Sequence, residues 1–323
     1  MLLLALIACG PGDPTPGQTL DTRFGTELGR EELPPASSLW VDGERAFACA
    51  GEDGLYVIDI ADPAWPVQDD VVSVACHAVD GESGKVHVAS GDAGLRVVHP
   101  GNLSIQGGYE PGYPVMTLAV DAGEYQAWIA GTVEETGVLR VDGVATYSVE
   151  NLTQNKQADL DPGAPLALAF DGDGVYVARE DGTVALLGLA MDLRGSITLP
   201  GMLSGGAGSG LWATDQRLWA TLGTAGLVAY SLEDMSSPTQ VVSWMGASAW
   251  GMAVLGDRIY LGADEELVVL DVEDPLAPVE VGRVPLEGVL RPEGIYVLDA
   301  KAWVVDAQDG AFVVVSVDED QME

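Results

Sequence analysis

One phrase is restated along this chain at a nearly constant interval, and it limits what the chain can fold into. It reads Gly54-Leu55-Tyr56-Val57-Ile58-Asp59, then Gly94-Leu95-Arg96-Val97-Val98-His99, Gly226-Leu227-Val228-Ala229-Tyr230 and Glu266-Leu267-Val268-Val269-Leu270-Asp271. Weaker copies start at Gly137, Gly182 and Gly310, so successive starts lie 40 to 45 residues apart. Self-similarity at such a period marks an array of supersecondary units, none of which can bury its apolar face alone.

A second register tests the first. Upstream of each phrase stands a turn-forming group: Asp42-Gly43-Glu44-Arg45, Asp80-Gly81, Asp121-Ala122-Gly123, Asp171-Gly172-Asp173-Gly174, Asp215-Gln216-Arg217, Gly256-Asp257-Arg258 and Asp299-Ala300-Lys301. Such groups tolerate positive φ or close a tight hairpin. The strand after each turn carries a ring at one place, as Phe47, His87, Trp128, Tyr176, Trp219, Tyr260 and Trp303. A ring in one register of every unit is expected to pack between neighbouring sheets.

Each unit therefore reads as four strands, in the first case Ser38 to Val41, Arg45 to Ala50, Leu55 to Ile60 and Val67 to Val74. Alternation of period two is weak in them, as expected where both faces of a sheet are covered. The prediction is an all-β fold, a seven-bladed β-propeller of radially stacked sheets. An open solenoid would need polar capping units at both ends. The last unit offers only three strands, Gly294 to Leu298, Ala302 to Val305 and Ala311 to Val317, while Thr19 to Leu28 stands unpaired before the first. The N-terminal strand is expected to complete the last blade, closing the ring and removing its exposed edges. One domain over 19–323 follows.

The phrase and its continuations, Asp59-Ile60-Ala61-Asp62-Pro63-Ala64-Trp65-Pro66-Val67 and Asp271-Val272-Glu273-Asp274-Pro275-Leu276-Ala277-Pro278-Val279, resemble the bacterial LVIVD-repeat family of extracytoplasmic propellers. The resemblance implies an envelope location and an interaction role, and brings no catalytic motif. A second resemblance lies at the N-terminus. Met1 to Ala8 is an apolar run ending in Leu6-Ile7-Ala8-Cys9, followed by the Pro/Gly-rich stretch Gly10 to Gly17. This is similar to a bacterial lipoprotein signal, which implies lipidation of Cys9, a signal segment over 1–8 and a tether over 9–18. Eight apolar residues are too few for a membrane-spanning helix, which needs about twenty.

With 47% hydrophobic residues the chain can bury a large core, which excludes disorder for most of it. Fourteen Lys and Arg stand against 50 Asp and Glu, giving a formal charge of −36. That charge repels phosphate backbones, so no nucleic-acid partner is expected, and the chain is read as a monomer.

Candidate chemistry is sparse. Of three histidines, His87 takes the ring register and His99 ends a repeated phrase, which leaves His77 at the start of an innermost strand. Tyr113, Met116, Trp250 and Arg291 fall near the same starts and are expected to line one mouth of the channel. Cys49 and Cys76 remain if Cys9 is lipidated, an even pair in an oxidising compartment that a disulfide could join. Asp171-Gly172-Asp173-Gly174 superficially suggests a calcium loop but lacks the later carboxylate, and reads as a turn. No metal site, cofactor motif or nucleophile elbow is found. The expectation is a non-enzymatic, lipid-anchored envelope propeller, in the outer membrane and facing the periplasm or the surface, that binds or scaffolds a protein or glycan. A channel-mouth hydrolase or lyase around His77 and Arg291 is the enzymatic alternative, and a purely structural spacer the third reading.

Overall fold

A computed structural model describes residues 25–82, 84–112, 114–121, 126–133, 138–145, 153–160, 164–203, 210–214 and 216–317. The chain enters through β1 (Glu27–Glu31). Blade 1 is β2 (Ser38–Asp42), β3 (Arg45–Cys49), β4 (Leu55–Asp59) and β5 (Val67–Val72). Blade 2 is β6 (Ala78–Glu82), β7 (Lys85–Ala89), β8 (Leu95–Val98) and β9 (Ile105–Tyr109). The third sheet is β10 (Val115–Asp121), β11 (Gln126–Val133), β12 (Val138–Ala145) and β13 (Thr153–Leu160). Blade 4 is β14 (Pro165–Phe170), β15 (Gly174–Arg179), β16 (Thr183–Gly188) and β17 (Leu193–Thr198). Blade 5 is β18 (Leu211–Thr214), β19 (Arg217–Thr221), β20 (Leu227–Ser231) and β21 (Thr239–Trp244). Blade 6 is β22 (Gly251–Leu255), β23 (Arg258–Ala263), β24 (Glu266–Asp271) and β25 (Val279–Pro285). The last blade is β26 (Pro292–Leu298), β27 (Lys301–Asp306) and β28 (Phe312–Ser316), with β1 on its outer edge in the order β1-β28-β27-β26.

The innermost strands β2, β6, β10, β14, β18, β22 and β26 touch in that cyclic order, and β26 returns to β2. The sheets therefore form a ring, as a β-propeller requires. The middle strands are rich in Val, Ile, Leu and aromatic residues and are buried on both faces. Phe47, Tyr176, Trp219 and Tyr260, in the predicted ring register, are among the largest fully buried side chains. His87 occupies that register in blade 2 and is also fully buried.

Three expectations need correction. Seven like blades are not present: six blades are copies of the repeat, and the sheet β10–β13 departs from it. Its outer strands each run eight residues, and β13, reading TQNKQADL, carries little of the apolar pattern that marks the unit. The copy expected at Gly137 lies outside the described residues. Second, the described strand that closes the ring is Glu27–Glu31, where Thr19 to Leu28 was expected, and it pairs antiparallel to β28 from Glu27↔Val315 to Glu31↔Phe312. An outermost edge strand buries little, so its sequence, ELGRE, has no apolar alternation to fix its place. Residues 19–24 lie outside the described set. Third, Asp80-Gly81 is not a turn: β6 runs through both, and Asp80 pairs with His87. Gly81 is needed there because a Cβ would meet the Trp40 ring at 2.7 Å. An Asp-Gly pair chosen for close packing resembles one chosen for a turn.

Polar side chains tie neighbouring inner strands together. Ser38 Oγ accepts the Val79 N–H at 3.1 Å, and Asp80 Oδ2 accepts the Val120 N–H at 2.8 Å. The free edge of each inner strand exposes backbone groups that must find partners, and these two residues supply them.

Candidate functional site

The repeated topology brings the starts of all the innermost strands to one mouth of the ring. Trp250 precedes β22, and its indole N–H donates to Asp264 Oδ1 at 2.5 Å. Arg291 precedes β26, and its guanidinium lies 4.9 Å from the Trp250 ring centroid, within cation–π range. Two glycines of blade 6 allow this approach. A Cβ on Gly251 would stand 1.9 Å from Glu293 O, and one on Gly262 would stand 2.0 Å from Pro292 O. The bare backbone of blade 6 thus lets the start of β26 close in, which carries Arg291 over the indole.

Arg291 is held from two further sides. Its Nη2 donates to Glu293 Oε1 at 2.5 Å, and Glu293 is buried at 4% exposure. Its backbone N–H donates to Asp306 Oδ1 at 3.0 Å, and Asp306 also accepts from the backbone N–H of Leu290 and Gln308. A buried carboxylate beneath a guanidinium and an indole beside it make a fixed, half-exposed cationic platform.

His77 stands elsewhere on the same mouth. Its Nε2 lies 3.8 Å from Glu52 Oε1, too far for a hydrogen bond, and its ring lies against Gly91. Beside it Cys49 and Cys76 form a disulfide between blades 1 and 2, with Cα atoms 5.0 Å apart. Among the described residues no contact joins His77 to Trp250 or Arg291, so the three do not assemble into one acid–base group. Met116 sits partly buried on β10. Tyr113 and Cys9 lie outside the described residues. Around the mouth, the turns between the two middle strands of five blades carry exposed Glu52, Asp53, Asp92, Asp181, Asp264, Glu265 and Asp309. The rim is acidic, and Arg291 interrupts it.

Asp171 behaves as a turn residue. It accepts from the Asp173 and Gly174 N–H groups at 3.0 Å and from Tyr176 Oη, so its oxygens are engaged without a cation. Among the described residues no group of three or more His, Cys, Asp or Glu could hold a metal ion. No described helix is long and apolar enough to cross a membrane.

Sequence reasoning missed Asp80, which opens onto the central channel. Its carboxylate is pushed up to about 6 by burial, against the pull of hydrogen bonds from Val120 and Gly81. The signal that could have found it is the position opposite the ring register, readable once the hairpins are aligned.

The LVIVD repeat model matches residues 35–70 and 246–285. The chain carries LVIVD repeats. The two matches fall on blades 1 and 6, where the phrase is followed by its Asp-Pro turn and the fourth strand. No curated protein matches the chain significantly. Among solved structures, a propeller domain of Cps50 (Swd1) from Myceliophteria thermophila has a TM-score of 0.66 at 10% identity, over 91% of this chain and 99% of that one. A chain of the mitotic checkpoint complex gives 0.68 at 12% identity, over 98% and 99%. The computationally designed protein Ika8 gives 0.62 at 13% identity, over 89% and 98%. At such identities the likeness concerns the fold alone.

Proposed function

We propose that the protein is a non-enzymatic binding module of the bacterial cell envelope, lipid-anchored through Cys9, that docks a protein partner on the mouth where Trp250 and Arg291 stand. A propeller with LVIVD repeats is consistent with a binding or scaffold role. The observation that carries the reading is Arg291, stacked on Trp250 and braced by the buried carboxylate of Glu293. Binding energy at interfaces concentrates in rigid Trp and Arg anchors surrounded by a polar rim. Here the anchor is pre-ordered, so docking sacrifices little side-chain freedom.

The enzymatic alternative needs His77 and Arg291 to act together with a carboxylate in reach. His77 has its nearest carboxylate oxygen at 3.8 Å, and Arg291 is engaged by Trp250 and Glu293. The lipid anchor and envelope location rest on the Ala8-Cys9 signal and the Pro/Gly tether behind it.

The test is a cross-linking pull-down from envelope extract with the tethered protein, comparing wild type with a Trp250→Ala, Arg291→Ala double variant. Recovery of one protein by the wild type and its loss with the double variant is the expected result. Recovery that survives protease treatment of the extract would make the partner a glycan, and no reproducible recovery would leave a spacer. Metabolic labelling with palmitate, lost in Cys9→Ser, checks the anchor.

A further inference from the structure

The central channel is a second feature, distinct from the docking mouth. It holds about 490 Å³ and is lined by consecutive residues of all the innermost strands, towards the ends where their first hairpins turn. That volume lies within the ~300–1,000 Å³ of small-molecule sites. The lining mixes exposed polar groups with apolar and aromatic side chains, Trp40, Phe170, Trp212 and Tyr296 among them, and Asp80 is the single charged residue in it among the described residues.

Asp80 breaks a rule that the rest of the ring keeps. The residue opposite the packing ring is Trp40 against Phe47, Ala119 against Trp128, Ala169 against Tyr176, Trp212 against Trp219, Ala253 against Tyr260 and Tyr296 against Trp303. In blade 2 alone a carboxylate takes that place, against His87. A buried charge is costly unless it is paired, and local violations of a repeated pattern concentrate where function needs them. Asp80 accepts N–H groups from Gly81 and Val120 at 2.8 Å, but no cationic side chain faces it among the described residues.

Two aromatic rings stand close to that carboxylate. The Trp40 indole lies over Gly81, the next residue. Tyr296 is near enough that, after burial, the charge of Asp80 is the next cause holding its phenol protonated, followed by Asp42. A carboxylate with an indole and a phenol nearby, in a cavity walled partly by aromatic rings, is chemistry that recognises an organic cation. The formal charge of −36 raises the local concentration of any cation at the entrance.

We propose that the channel binds a small organic monocation, an ammonium on an apolar or aromatic body, with its charge against Asp80 and its body against the rings of Trp40, Tyr296 and Trp212. An ammonium supplies what a neutral ligand cannot, a counter-charge for a carboxylate already holding two backbone donors. The body fills space that the small residues Ala119, Ala169 and Ala253 leave open on the facing strands.

The test is titration calorimetry on the full chain above pH 7, with benzylammonium as the cationic probe and benzyl alcohol as its neutral counterpart. Saturable benzylammonium binding at least ~10-fold tighter than benzyl alcohol is expected, falling to the neutral level in Asp80→Asn. Trp212→Ala, at the exposed end of the channel, should weaken both probes and gives a second readout if Asp80→Asn does not fold. Equal binding of the two probes, unchanged binding in a folded Asp80→Asn, or no saturation by about 10 mM would each overturn the proposal.

Discussion

Asp80 and His87 stand directly opposite each other on β6 and β7, and theirs is the one cross-strand pair in this register in which both members are ionisable. Burial drives the two in opposite directions. It raises Asp80 to about 6, and it lowers His87 to about 4, with the nearby charge of Lys85 adding to the second effect. Both shifts disfavour the charged form, which places the two groups where their contributions to stability nearly oppose each other.

For Asp80 the folded state holds its proton more tightly than the unfolded chain, so its contribution favours folding at low pH and is lost as pH rises from about 4 through 6. The span of that shift, 3.8 to about 6, corresponds to on the order of 3 kcal/mol. Asp80→Asn removes the buried charge, so the variant should be more stable than wild type at pH 8, with the advantage gone below pH 4. Urea unfolding across that range measures it.

For His87 the sign is reversed. Its folded-state value lies below the unfolded one, so its contribution is present above pH 6.5 and lost as pH falls towards 4. Both ring nitrogens are also buried without a hydrogen-bond partner. His87→Phe installs the ring that blade 1 uses at Phe47, and should stabilise by about 1–3 kcal/mol at pH 7. Its stability should rise, not fall, between pH 6 and pH 4, because Asp80 is then the remaining titrating member. A thermal unfolding series in pH steps would show that slope in the variant, against a nearly flat contribution from the pair in wild type.

The disulfide of Cys49 and Cys76 pins blade 1 to blade 2 beside His77, across a separation of 27 residues. Cys49→Ser with Cys76→Ser should cost roughly 2–4 kcal/mol, since the unfolded chain regains the freedom of that loop. Denaturant midpoints of the variant and of the reduced wild type should shift together, and thiol titration of the untreated protein should find neither cysteine free.

Gly251 and Gly262 allow β26 to approach blade 6, with a Cβ on Gly251 predicted only 1.9 Å from Glu293 O. Gly251→Val should therefore push the strands apart, destabilise by more than about 2 kcal/mol and move Arg291 off Trp250. Gly256→Ala is the comparison, as a Cβ there meets nothing within 4 Å, although its φ of +55° makes a smaller cost expected.

The architecture was legible because repetition multiplies a weak signal. The phrase from Gly54 to Asp59 is undistinguished alone, and becomes decisive when Gly94, Gly226 and Glu266 open the same pattern. The rings from Phe47 to Trp303 could be placed for the same reason. Legibility ended where repetition did. β1 has a single leucine to mark it, β13 has lost the pattern, and Asp80-Gly81 carries the letters of a turn inside a strand. The pairing of Arg291 with Trp250 was out of reach as well, since blade 6 and the last blade meet through glycines whose role is to be small. Sequence register could put both residues at one mouth, but only the backbone approach at Gly251 decides that they touch.

The Trp250–Arg291 mouth is the docking surface proposed for this protein's partner. The most direct measurement is capture of that partner by three forms side by side: wild type, Trp250→Ala with Arg291→Ala, and Leu298→Glu at the far end of the channel. The partner should be lost with the double variant alone, while Leu298→Glu, at an already exposed position, captures it as wild type does. Undiminished capture by the double variant, or loss only with Leu298→Glu, would contradict that proposal.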